Sequence, residues 1–290
     1  MKVKIGTCPG NFAAENRDAY GRYRRMKELG YDTADVNLAD TGWEIYSDRK
    51  LLEEYCAAEK EAAAAAGIEL YQIHGPWPTD DTTEVSRKAV REHMHTAVYA
   101  CHLLGAPYMV IHPQMPFGWD KEEDAAFSEE LTVELLRGLI PDCERYGVTV
   151  CLENMPMKAH RISPVENIVE TVKKVGHPNI AVCLDTGHSN VFGHDPGEMV
   201  RLCGNLLKTL HIHDNDGDYD RHQLPYTGTA DWESFLRALA ETGCGVPLNF
   251  ETMAPAVRTM PEAVFAKAEE LTAFTARHMA DQVEKLRSGN

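Results

Sequence analysis

The stretch from Leu210 to His222 carries three histidines, His211, His213 and His222, and four aspartates, Asp214, Asp216, Asp218 and Asp220, directly after an apolar run. Imidazole nitrogens beside carboxylate oxygens suit a divalent transition ion such as zinc or manganese, whereas the all-oxygen sites of calcium do not recruit histidine. Taken alone, the stretch also reads as a hydrated acidic turn after a strand. What separates the two readings is whether other parts of the chain bring ligands to the same place.

The surrounding sequence repeats a strand, a helix and a glycine. Strand-like runs fall at 2–7, 33–38, 68–74, 108–112, 148–153, 180–185, 207–213 and 247–251. Helical patterns follow them at 16–29, 49–66, 83–104, 121–146, 164–175, 196–202, 231–242 and 261–287. Seven glycines, Gly30, Gly67, Gly105, Gly147, Gly176, Gly204 and Gly243, stand just past helices, where a left-handed residue ends a helix at low cost. Eight alternations without a polar linker predict an α/β fold, a (β/α)8 TIM barrel forming one domain over 1–290. A doubly wound open sheet also alternates strand and helix, but Gly6-Thr7-Cys8-Pro9-Gly10 is not the glycine-rich turn a dinucleotide requires.

A barrel places its active site at the C-terminal ends of its strands. Strand three ends in His74, four in His112, five in Glu153, six in Asp185, seven in His211 and His213, and eight in Glu251. Any one of these could be the first solvated residue after a strand, but six successive strands ending in metal-ligand side chains argue for a shared site. His211 and His213 are two apart and point the same way, and His188 follows Asp185 closely enough to reach the same cavity. Glu153 and Glu251 lie roughly across the ring, so one carboxylate could remove an α-proton while the other returns it.

These residues resemble the xylose isomerase-like TIM barrels, which include sugar isomerases, ketose 3-epimerases, inosose-processing enzymes and endonuclease IV. The resemblance rests on Leu152-Glu153-Asn154, Leu184-Asp185-Thr186-Gly187-His188, His211-Ile212-His213-Asp214, Gly228-Thr229-Ala230-Asp231-Trp232 and Phe250-Glu251, in the family's order. Its epimerase branch implies one divalent ion, manganese or zinc first, magnesium or cobalt next, held by Glu153, Asp185, His211 and Glu251. It further implies catalysis by Glu153 and Glu251, with His74, His112 and His188 binding substrate. The endonuclease IV pattern implies additional zinc ions near His74, His112 and Glu153 and near His188, Asp220 and His222.

Two positions depart from these branches. Gly217 stands where the ketose 3-epimerases carry an arginine, six residues after the metal histidine. The segment 74–81 is acidic and lacks the tyrosine-containing DNA-penetrating loop of endonuclease IV. The expected function is therefore a metal-dependent sugar or sugar-phosphate isomerase or epimerase working through an enediolate, with a small sugar or polyol as partner. The alternatives are an endonuclease IV-like zinc phosphodiesterase and a sugar lyase or dehydratase.

Composition bounds the remaining classes. Of 290 residues, 43% are hydrophobic and 26% charged, ordinary for a protein with a real core. A net charge of −16 repels polyanions, which argues against nucleic acid as a partner. The opening Met1-Lys2-Val3-Lys4-Ile5 leads straight into a strand, and no apolar run is long enough to span a bilayer. The expectation is a cytoplasmic protein with no membrane partner and room for homo-oligomers. The eight cysteines form no C-x-x-C pair and read as free thiols.

Overall fold

A computed structural model describes residues 2–13, 17–77, 82–118, 122–252 and 260–289. Eight parallel strands form a nearly closed barrel: β1 (Ile5–Thr7), β2 (Thr33–Asn37), β3 (Glu69–His74), β4 (Tyr108–Ile111), β5 (Thr149–Glu153), β6 (Ile180–Asp185), β7 (Leu207–His211) and β8 (Leu248–Phe250). From β1 to β7 each strand pairs with the next in sequence, and β8 pairs with β1. Between β7 and β8 the ring is stitched just beyond β7, where Ile212 N–H donates to Asn249 O (2.8 Å) and Ile212 O accepts from Glu251 N–H (3.1 Å).

The helices are α1 (Ala19–Glu28), α2 (Arg49–Ala66), α3 (Glu84–Leu104), α4 (Ala125–Tyr146), α5 (Val165–Val175), α6 (Thr186–Val191), α7 (Pro196–Cys203), α8 (Trp232–Glu241) and α9 (Glu262–Ser288). Their starts are fixed chemically. Asp48 accepts from the N–H groups of Lys50 (2.8 Å) and Leu51 (3.2 Å), and Asp124 does the same for Ala126 and Phe127, each satisfying donors that a first helical turn leaves open. All seven helix-ending glycines have positive φ.

Side-chain alternation divides the core. Leu152 and Leu184 point out of the barrel into the large cluster shared with the helices, together with Met94, Leu136, Phe235 and Met279. Cys151 and Cys183 point the other way, into a small cluster with Val110 and Ala181. By the two-residue period, the face that carries Cys151 and Cys183 also carries Glu153 and Asp185. All eight cysteines are free, and six are buried.

Several boundaries differ from the sequence expectation. β1 begins at Ile5, β7 stops at His211, and Glu251 falls just beyond β8. α1 begins at Ala19 behind an Asp18 cap, and α4 begins at Ala125 because Asp124 caps it; the expected starts at 16 and 121 lie outside the described residues. The short helix α6 was not expected, and it matters for the site.

Candidate metal centre

At the C-terminal mouth of the barrel the side chains form two groups of four, and His74 makes a third, overlapping group with Glu153 and His211 of the inner one. In the inner one, ligand atoms of Glu153, Asp185, His211 and Glu251 lie within 4.8 Å of one another; in the outer one, those of His188, His213, Asp220 and His222 do. Neither carboxylates nor imidazoles crowd together like this without charge to balance.

The inner group is centred on His211, which is fully buried. Its Nδ1 lies 2.9 Å from Glu153 Oε1 and 3.1 Å from Glu251 Oε2. The two candidate catalytic carboxylates, on strands three apart in the ring, thus converge on one atom. Glu153 Oε2 faces His112 Nε2 at 3.2 Å and His74 Nε2 at 3.8 Å. It has no hydrogen-bond partner among the described residues although it is buried. His74 donates its Nδ1–H to Gly75 O (2.9 Å), which leaves Nε2 facing Glu153.

The strand ends are held in place by their neighbours. Asn154 exchanges hydrogen bonds with the backbone of Asp185, donating to its carbonyl (3.0 Å) and accepting from its N–H (2.8 Å), so β5 and β6 end in fixed register. Asp185 also caps α6 by accepting from His188 N–H (2.7 Å). That turn of helix carries His188 back into the cavity. It passes close to His213, since a Cβ on Gly187 would lie 2.0 Å from the imidazole Cε1.

The outer group follows one rule. His188 donates Nδ1–H to Asn154 O (2.7 Å) and His222 donates Nδ1–H to Glu251 O (2.8 Å), so both present Nε2 to Asp220 Oδ2, at 3.3 Å and 3.0 Å. A carbonyl behind each ring that fixes the far nitrogen as the ligand is the usual support of a metal-binding histidine. His222 takes a positive φ of 47° to reach this position, a conformation few non-glycine residues adopt. His213, absent from the ligand sets expected from sequence, places Nε2 3.0 Å from Asp185 Oδ2 and 3.6 Å from Asp220 Oδ1 and stacks on His222 at 4.2 Å.

Electrostatics follow from burial set against these contacts. Burial raises the carboxyl of Glu153, but the imidazoles of His211 and His112 outweigh it and hold the group well below the usual carboxylate range. Asp185 is held low in the same way by His188 and His213. Burial disfavours charge on His188 and His222, yet Asp185 and Asp220 push His188 up to about 10, and the bond to Asp220 pushes His222 up to about 9. For His112 burial prevails, and its pKa falls.

Of the four aspartates in the 210–222 stretch, only Asp218 and Asp220 line the cavity. Asp214 is buried and folds back on its own loop. It accepts from the N–H groups of Asn215 (2.9 Å), Gly228 (3.0 Å) and Ala230 (3.2 Å) and from Trp232 Nε1 (2.9 Å). Asp216 pairs with Arg221 at 2.8 Å. The cavity itself measures about 580 Å³. Trp77 meets His112 edge-on at 4.3 Å on its wall, and Met155 and Met157 supply an apolar side.

The donors fit a divalent ion. Glu153 Oε2 and Asp220 Oδ1 are buried carboxylate oxygens without hydrogen-bond partners among the described residues, and each belongs to a mixed oxygen and nitrogen set of the kind manganese and zinc accept.

The xylose isomerase-like TIM barrel family model matches residues 23–279. The chain belongs to this family. A family relative, the D-psicose 3-epimerase of Ruminiclostridium cellulolyticum, is 28% identical over 228 residues, 76% of this chain and 73% of that one. A probable endonuclease 4 of Mycoplasma mobile is 24% identical over 205 residues, 65% of this chain and 70% of that one. Among solved structures, a D-psicose 3-epimerase in the presence of D-fructose has a TM-score of 0.75 at 18% identity, covering 97% of this chain and 99% of that one. The 3-keto-D-glucoside 4-epimerase of E. coli has the same TM-score at 17% identity, covering 96% and 99%. These two structures establish the fold. The sequence relatives include both sugar epimerases and endonuclease IV-like proteins.

Among the described residues, no helix is long and apolar enough to cross a membrane.

Proposed function

We propose that this chain is a divalent-metal-dependent isomerase or epimerase of a sugar or sugar phosphate. The reading rests on Glu153 and Glu251 meeting at His211 Nδ1, at 2.9 Å and 3.1 Å, beside a cavity of about 580 Å³. That volume lies within the range of about 300–1,000 Å³ typical of small-molecule sites.

Glu153, Asp185, His211 and Glu251 would hold the ion, manganese or zinc before magnesium or cobalt. The ion would polarise a substrate carbonyl as a Lewis acid and so acidify the neighbouring C–H. Glu251, with a side chain 29% exposed, is the accessible base: its carboxylate accepts the α-proton. Glu153, fully buried and kept ionised by His211 and His112, serves the other side of the planar enediolate: it first takes a proton from a substrate hydroxyl or solvent and then delivers it to carbon. Return to the same carbon inverts it, and return to the neighbouring carbon exchanges aldose for ketose. His74, His112 and His188 hydrogen-bond substrate hydroxyls, while Trp77 and the two methionines exclude water from the apolar edge of the substrate.

The outer group favours a second reading, phosphoester hydrolysis, because His188, Asp220 and His222 would complete a further ion site with His213. One experiment separates the two. Protein loaded with Mn²⁺ or Zn²⁺ is incubated in D₂O with a panel of ketoses, aldoses and their phosphates, and in parallel with abasic duplex DNA. The sugar reading expects deuterium at the carbon next to the carbonyl, abolished in Glu251→Gln although metal is retained, and intact DNA. Nicked DNA, lost in Asp185→Asn, with no exchange into any sugar, would transfer the assignment to hydrolysis.

A further inference from the structure

Behind His211, on the side of the ring away from the cavity, lies a buried carboxylate outside the metal clusters. Asp35 is only 5% exposed and sits in the middle of β2. A register shift between Ala34 and Asp35 brings it beside Gln72 of β3, leaving Tyr71 without a partner in the ladder, and irregularities of this kind commonly re-aim a side chain. The Oδ2 atom of Asp35 then lies within hydrogen-bond distance of three nitrogens: Gln72 Nε2 (2.9 Å), Asn249 Nδ2 (3.1 Å) and His211 Nε2 (3.2 Å).

We propose that Asp35 is a positioning residue: by accepting Nε2–H of His211 it fixes that ring with Nδ1 as its only ligand atom, aimed between Glu153 and Glu251. This rests on the reading of His211 as a metal ligand. A neutral imidazole carries its single proton on either nitrogen, and a ring protonated at Nδ1 could not coordinate there. His211 is fully buried, out of reach of bulk water, so the proton on Nε2 needs an acceptor inside the barrel. Asp35 Oδ2 is that acceptor, and an anionic one strengthens the donor power of the opposite nitrogen. The parallel ring of His74, 5.6 Å away at an interplanar angle of 8°, limits tilting.

Merely tying Gln72 to Asn249 would not require a charge. A neutral acceptor would serve both amides, and an ionised carboxylate in the barrel is costly unless its charge is used. The free Oε1 of Gln72 also provides a clean variant, because the amide introduced by Asp35→Asn would find an acceptor there. Hydrogen bonding is then kept while the negative charge is removed.

The test uses the whole chain and Zn²⁺ alone. Affinity is measured by competition with a chromophoric chelator, and the histidine Nε2–H signals of the Zn²⁺-loaded, ¹⁵N-histidine-labelled protein are recorded. Loss of such an outer partner commonly weakens metal binding about 10–100-fold. Asp35→Asn is expected near tenfold and Asp35→Ala near a hundredfold, with the His211 Nε2–H signal weakened or lost in the alanine variant. Gln72→Met, which perturbs the same oxygen without touching the ring, should change affinity less than about threefold, a margin well below that range. Thermal melts identify any variant that fails to fold, in which case Asp35→Asn alone decides. Wild-type affinity in Asp35→Asn would overturn the proposal, as would an equal loss in Gln72→Met. A wild-type chain that binds no Zn²⁺ would overturn the metal reading itself, a result distinct from either.

Discussion

Replacing Asp214 by alanine removes the acceptor around which the loop after β7 is folded. Four donors converge on its carboxylate, and two of them, Asn215 N–H and Trp232 Nε1–H, are buried where water cannot replace the lost acceptor. The other two, from Gly228 and Ala230, are part-buried and can turn to solvent. An unpaired buried donor costs about 1–3 kcal/mol, so the two buried ones together should destabilise the chain by roughly 4 kcal/mol. At about 2 °C per kcal/mol for a chain this long, the melting temperature should fall by about 8 °C. The effect is also directional, because the loop anchored at Asp214 carries Asp220 and His222 and is closed at its base by paired bonds between Asp214 and Gln223 at 2.8 Å and 2.9 Å. Asp214→Ala should therefore abolish the weak, dialysable ion binding of the outer group, seen only in titration with excess metal, while the inner group keeps its tightly held ion. Urea denaturation of the metal-free protein reads the first effect and metal titration the second. A variant within about 1 kcal/mol of wild type, less than one unpaired buried donor should cost, with unchanged binding stoichiometry would refute the reasoning.

Ion content and pH give two further tests. Elemental analysis after gentle dialysis should find about one Mn²⁺ or Zn²⁺ per chain, and His222→Ala should leave it in place, since four ligands suffice for one such ion; a value near three that falls in His222→Ala would refute the one-ion reading. In the metal-free protein His188 is pushed up to about 10 and His222 to about 9, both above the ordinary 6.5 of an unfolded chain. Their contribution to stability is thus fully present below about pH 6.5 and lost as pH rises through 9 and then 10. Asp220, held far below its ordinary value, contributes above that value and is lost only in acid. A metal-free unfolding midpoint in urea that stays flat from pH 6 to pH 10 would contradict the sign.

The legible part of this molecule was the part written at strand ends. Glu153 and Asp185 end β5 and β6, His211 ends β7, and an alternating strand puts such residues on the inner face without further information. His188 was legible as a neighbour of the cavity, but the turn of helix that delivers it was not, because Thr186–Val191 is too short to leave a periodic signature. His213 was seen to share a face with His211, yet its assignment to the outer group depends on β7 ending two residues earlier and on Thr186, whose Oγ1 accepts from His213 N–H at 3.1 Å. Asp35 escaped notice because it lies inside a strand. A charged residue flanked by Ala34 and Val36 in a buried run was the available signal, since such a carboxylate must find donors. Residues 78–81 of the acidic segment lie outside the described residues.

The two groups have opposite charge inventories, and this decides how the site fills. The inner set holds three carboxylates and one imidazole; the outer holds one carboxylate and three imidazoles. A dication relieves repulsion among the inner carboxylates, whereas in the outer set it must first displace the protons that keep His188 and His222 charged. The inner set should therefore fill first and at lower pH. The sets are coupled through Asp185, whose Oδ1 accepts from His188 N–H (2.7 Å) while its Oδ2 faces His213 Nε2 (3.0 Å). The charges that raise the pKa of His188 come from Asp185, Asp220 and Glu153, two of them members of the inner group. Neutralising those two weakens the hold on the His188 proton and releases Nε2 from its role as a charged donor. Filling the inner group thus lowers the pKa of His188 towards that of a neutral imidazole, the form needed to ligate a second ion, while Asp220 still favours its proton.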